Sequence, residues 1–146
     1  MAMTYSQDEA VFWIASSHRY IDEARRSALT VRRHMPNLPR YIAAPWDNVD
    51  TGKAFTDHIR LPDKIWSGKW YLDSARYYEI MINALDDLGY KRVLALDTDT
   101  FLCDQIYDLF DLLDNFDFVG AHAPGRETTK SAYDLPASFP EINVGN

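Results

Sequence analysis

Apolar and polar positions along the chain alternate between two rhythms. Val11–Ala15 (VFWIA) is a short continuous apolar run, as expected of a strand buried on both faces. Ile21, Ala24, Ala28, Val31 and Met35 then recur at steps of three and four, which predicts an amphipathic helix over Tyr20–His34. Ser16 and Ser17 stand where its N-cap belongs. The prolines of MPNLP end it, because each disfavours helix at the residue before it. Arg40–Pro45 (RYIAAP) predicts a second strand and Asp57–Leu61 a weaker third, with WDNVDTGK as the loop between them. Tyr71, Ala75, Tyr78, Ile82 and Leu85 outline a second helix, closed by Gly89 at a C′ position. Arg92–Leu96 reads as a fourth strand. Ile106, Leu109, Phe110 and Leu113 mark a third helix, and FDFVGAH from Phe116 a fifth strand.

Strands alternating with helices in this way predict an α/β domain with a mostly parallel sheet covered on both faces. In open sheets of that kind, ligands bind beyond the carboxyl ends of the strands. At 146 residues the chain suits one domain rather than two. The run at Val11–Ala15 is far too short for a membrane span, and no basic region followed by an apolar stretch opens the chain as a secretory signal would. The lone Cys103 fits a reducing compartment and is expected in the core; the cytoplasm is the expected location. A net charge of −7 argues against a nucleic-acid binder, which needs clustered Lys and Arg. A small phosphorylated ligand stays compatible, since a metal, a few basic groups and backbone N–H donors suffice to hold one.

One stretch carries the candidate chemistry. In RVLALDTDTFLCD the fourth strand runs straight into Asp97 and Asp99, one residue apart. If the segment stays extended, both carboxylates face one side, roughly 6–7 Å apart. Like charges that close disfavour their shared ionised state, so a cation belongs near them. Hard oxygen ligands suit Mg²⁺ or Mn²⁺, commonly held by one or two carboxylates with substrate phosphates completing the shell. The plainer alternative makes them solvated turn residues, with Asp99 capping the next helix.

What surrounds the pair gives it context. The chain resembles the GT-A glycosyltransferases, which transfer sugars from nucleotide-diphospho-sugars. The likeness rests on Leu96–Thr100 (LDTDT), Leu109–Phe110, Phe116–Asp117, Ala121–Pro124 with Arg126, and Phe139–Gly145 (FPEINVG). It covers about Tyr90–Asn146 closely; the residues before that match only in layout. The resemblance implies a Rossmann-like GT-A fold and a metal-dependent glycosyltransferase. By that likeness Asp99 would ligate Mn²⁺ or Mg²⁺ bridging the donor diphosphate. Asp97 would ligate it directly or through water, and touch the ribose. Ser16, Ser17 and Tyr20 would form the turn that receives the base, with Ala44–Asp47 as a further wall. Lys69 would pair with phosphate, while Arg126, Asn143 and Gly145 would lie toward the sugar. Residue by residue the plainer roles are an N-cap for Ser16, helix packing for Tyr20, solvated surface for Lys69 and Arg126, and core for His122.

Relatives of that family continue past the FPEIN-G element into an acceptor-binding half, and this chain stops at Asn146. The expectation is therefore a donor half whose open sheet edge invites self-association or a partner chain, with the acceptor unknown. Two other functions compete. One is a non-catalytic nucleotide-sugar-binding subunit or sensor on the same scaffold. The other is a phosphatase with an aspartate nucleophile, which also uses Asp-x-Asp but on its first strand and with Thr or Val where Phe101 stands.

Overall fold

In a computed structural model of the chain, residues 8–62 and 70–120 are described, apart from the side chains of 70–74. Two compact units separate at Phe110, and the first of them carries the sheet. Its elements run in the order β1 (Glu9–Ile14), α1 (His18–His34), β2 (Arg40–Ala44), β3 (Asp57–Arg60), α2 (Trp70–Asp87) and β4 (Arg92–Ala95), followed by the short α3 (Tyr107–Leu112) that crosses the unit boundary.

The four strands form one parallel sheet in the order β3-β2-β1-β4. Chain order moves outward from β1 through β2 to β3, then crosses to the other side of β1. The reversal lies between β1 and β4, where Glu9 pairs with Arg92 and Phe12 with Ala95. This is an α/β fold, and the reversal marks where such sheets open a crevice beyond their carboxyl ends.

Alternation along the strands sorts side chains onto two faces. Val11, Trp13, Ile42, Ala44, Leu94 and Leu96 pack with Ala24, Ala28 and Val31 of α1, together with Phe110. Ala10, Phe12, Tyr41, Ala43 and Val93 pack with Met81 and Leu85 of α2 on the opposite face. β1 is therefore buried on both sides, which is why its sequence reads as an unbroken apolar run.

Boundaries differ from the sequence expectation by one or two residues, with larger corrections at four places. α1 starts at His18 because Ser17, not Ser16, is the N-cap, its side chain accepting from the Tyr20 N–H at 3.4 Å. The buried face of α2 runs through Met81 and Leu85 with Tyr77 and Tyr78 beside it; Ala75 is exposed and Ile82 is 49% exposed, so the apolar stripe is rotated from the one expected. Cys103, expected in the core, is exposed. No strand forms over Phe116–Gly120, where Phe116 and Phe118 are 58% and 63% exposed. The remainder of that expected strand, with His122, lies outside the described residues.

Candidate functional site

Pairing of β4 with β1 persists one step past the strand, where the Leu96 N–H donates to the Phe12 carbonyl at 3.0 Å. The chain then turns. The Thr100 N–H donates to the Asp97 carbonyl at 3.0 Å, closing a four-residue turn that has Asp97 first and Asp99 third. The extended geometry expected for these aspartates is thus replaced by a turn. Asp99 caps no helix, because the next one begins at Tyr107.

The strand's alternation nevertheless carries into the turn. Leu94 and Leu96 lie on the α1 face, and the residues that follow at the same parity also find α1. The Thr98 hydroxyl donates to Glu23 Oε2 at 3.1 Å. The Ser27 hydroxyl donates to the Thr100 carbonyl and itself accepts from Trp13 Nε1 at 2.9 Å. The Leu102 N–H donates to the Thr30 hydroxyl at 2.9 Å. Asp97 has the opposite parity and stands within electrostatic reach of Tyr78 of α2, whose phenol is raised mainly by burial and further by that carboxylate.

Asp97 is half-buried, and burial first, then the neighbouring Asp99 charge, raises its carboxyl above the ordinary value. Asp99 is exposed. Among the described residues no ion pair or side-chain hydrogen bond engages either carboxylate. The turn therefore holds two acidic groups, one of them partly desolvated, beside the sheet's reversal.

Across the reversal, Ser16 is exposed and Ser17 is occupied with capping. Tyr20 is 42% exposed. The His18 ring stacks on Trp46 at a centroid distance of 4.4 Å and 25° between planes, joining the segments after β1 and β2. Asp47, next to Trp46, pairs with Arg60 at the end of β3. Lys69, Arg126, Asn143 and Gly145 lie outside the described residues. The site thus brings Ser16, Ser17 and Tyr20 to the strand adjoining that of Asp97 and Asp99.

Sequence inspection passed over Glu23, Ser27, Thr30 and His18. Ser27 left a trace: a hydroxyl between Ala24, Ala28 and Val31 on an apolar helix face needs a buried partner. An open depression of about 600 Å³ on the β2–β3 connection, lined by Asp47–Thr51, Asp57 and His58, includes no residue after β1 or β4. Its carboxylates are already engaged, Asp47 by Arg60, Asp50 by the Gly52 N–H at 3.0 Å and Asp57 by the His58 N–H at 2.7 Å. The unengaged carboxylates are those of the Asp97 turn.

No group of three or more His, Cys, Asp or Glu side chains gathers as a complete cation cage among the described residues. Asp97 and Asp99 supply two hard oxygen donors, a set that suits an ion whose shell is completed by substrate phosphates. No helix among the described residues is long and apolar enough to cross a membrane. Comparison with protein-family models and with curated proteins gave no match.

Proposed function

We infer that the chain binds the donor of a metal-dependent glycosyl transfer, a nucleotide-diphospho-sugar, as a GT-A glycosyltransferase or its donor-binding portion. The observation that carries this is the acidic turn itself. It follows the strand beside β1, at the sheet's reversal, and presents one exposed and one half-buried carboxylate with no counter-charge among the described residues. Leaving two like charges so close costs stability unless a ligand repays it.

Asp97 and Asp99 would hold Mn²⁺ or Mg²⁺. When bound, such an ion offsets charge on the leaving diphosphate. The chain's own residues supply the rest: the turn after β1 offers the Ser16 hydroxyl, and Tyr20 offers an exposed ring. Lys69, Arg126, Asn143 and Gly145 enter by resemblance alone. The aspartate-nucleophile phosphatase is less well supported, since its motif belongs on a first strand and here follows the fourth.

A thermal-shift titration tests the reading. UDP- or GDP-sugars should raise the unfolding temperature only with Mn²⁺ or Mg²⁺, by the equivalent of about 2.7 kcal/mol at a hundred times the dissociation constant. Asp99→Ala should abolish the response. An equal shift without metal would overturn the proposed site. Robust sugar transfer by the chain would separate an enzyme from a binding subunit or sensor.

A further inference from the structure

Three residues of one helix stripe meet two residues of the acidic turn and one just past it. Glu23, Ser27 and Thr30 lie at steps of four and three along α1, and their partners Thr98, Thr100 and Leu102 lie at steps of two. The three contacts run in order along the helix, one through the Thr98 side chain and two through the backbone of Thr100 and Leu102. Each helix residue is itself held. Glu23 Oε1 accepts from Arg19 Nε at 3.3 Å. Ser27 is wholly buried and anchored by the Trp13 indole. The Thr30 hydroxyl donates to the Ser27 carbonyl at 2.6 Å while accepting from Leu102. The bonds fall on Thr98 and Thr100, the positions that alternate with the two aspartates, and leave both carboxylates unengaged among the described residues.

Resting on the cation-site reading above, we propose that Glu23, Ser27 and Thr30 are positioning residues that fix the Asp97–Asp99 turn in its cation-binding shape. They hold the turn by its alternate side and touch no ligand. A turn that carries two like charges without a bound ion tends to splay, because separation lowers their repulsion. Three bonds to α1 oppose that motion and hold the turn in one shape before the ion arrives. Groups that orient ligating residues in this way typically change metal affinity by about 10–100-fold when removed.

Two measurements on the full chain test this: Mn²⁺ binding, read from loss of the free-ion signal in electron paramagnetic resonance, and amide hydrogen exchange at Thr100 and Leu102. Glu23→Ala, Thr98→Val and Thr30→Val should each weaken Mn²⁺ binding about 10-fold and speed exchange in the turn. Ser27→Ala should do the same, although it also strips the Trp13 indole of its acceptor, so Glu23 and Thr98, both on the outer margin, decide the case. Glu23→Gln keeps the acceptor and Thr98→Ser keeps the donor, so both should restore binding. If Glu23→Gln behaves like Glu23→Ala, the carboxylate acts by charge and positioning is overturned. Faster exchange with unchanged Mn²⁺ affinity reduces the stripe to a structural seam and overturns it as well. Absence of Mn²⁺ binding by the parent chain would instead refute the cation site on which the proposal rests.

Discussion

β4 has charged residues at both ends, and the two ends are treated in opposite ways. At its start Arg92 sits in register with Glu9 of β1, and the two side chains, 20% and 7% exposed, meet at 2.7 Å. Just past its finish, burial first and then the charge of Asp99 raise the Asp97 carboxyl. Composition does not explain the difference, since both ends lie beside the same neighbour strand. The pairing does. Opposite charges facing across a ladder close the amino end of the sheet, whereas like charges on one turn keep the carboxyl end available. The first arrangement serves the fold and the second opposes it, as expected if the carboxyl end is the binding site proposed above.

The strongest attack on that contrast is Arg92→Met. Removing the guanidinium leaves Glu9 charged and buried without it, and breaking a buried pair this way costs about 3–5 kcal/mol. Urea unfolding should show that loss directly. The double variant Glu9→Leu with Arg92→Met should recover most of it, because an apolar pair of similar volume has no charge to desolvate. A loss below about 1 kcal/mol for Arg92→Met would make the pair no stronger than a surface bridge and erase the difference between the ends.

The acidic end should respond with the opposite sign and a smaller size. Asp97 has a folded value above its ordinary 3.8, so the fold favours its protonated form. Its favourable contribution is full below the ordinary value and disappears as pH rises through the raised one. At neutral pH the ionised group therefore works against folding, and Asp97→Asn should unfold at higher urea than the parent in metal-free buffer. The gap should close as the pH is lowered toward the ordinary carboxylate range. Saturating Mn²⁺ with nucleotide sugar should reverse the order, since only the parent gains from binding. An Asp97→Asn chain less stable than the parent at pH 7 without metal would remove the strain from the acidic end.

Much of this was legible in the residues. The unbroken run at Val11–Ala15 announced a doubly covered strand. The steps of three and four from Ile21 to Met35 announced α1, and Pro36 marked its end. Elements stated by strong periodicity were found within two residues. What escaped was set by neighbours distant in sequence. The shape of the chain from Asp97 to Leu102 depends on Glu23, Ser27 and Thr30 of α1 some seventy positions earlier, and no local pattern around Asp97 encodes them. Phe116–Gly120 forms no strand although its residues alternate, because alternation is only half of what makes one and strand pairing is set by tertiary context. Asp97 and Asp99 were visible as a motif, while their unequal burial was not.

The smallest predicted effect separates the roles of two adjacent serines. Ser17 caps α1 through a long 3.4 Å bond, so Ser17→Ala should cost about 0.5–1 kcal/mol, the low end for an N-cap. Ser16 is exposed and caps nothing, so Ser16→Ala should change stability by less than about 0.5 kcal/mol. If the turn after β1 also receives a ligand, as proposed, the ranking inverts in a binding assay. Ser16→Ala should then weaken the metal-dependent nucleotide-sugar shift more than Ser17→Ala does, because the Ser17 oxygen is already committed to the helix. Paired urea and thermal-shift titrations of both variants read the two quantities on the same chains. A Ser16→Ala chain that keeps the full ligand shift would confine recognition to the acidic side of the reversal and leave the β1 turn a helix start only.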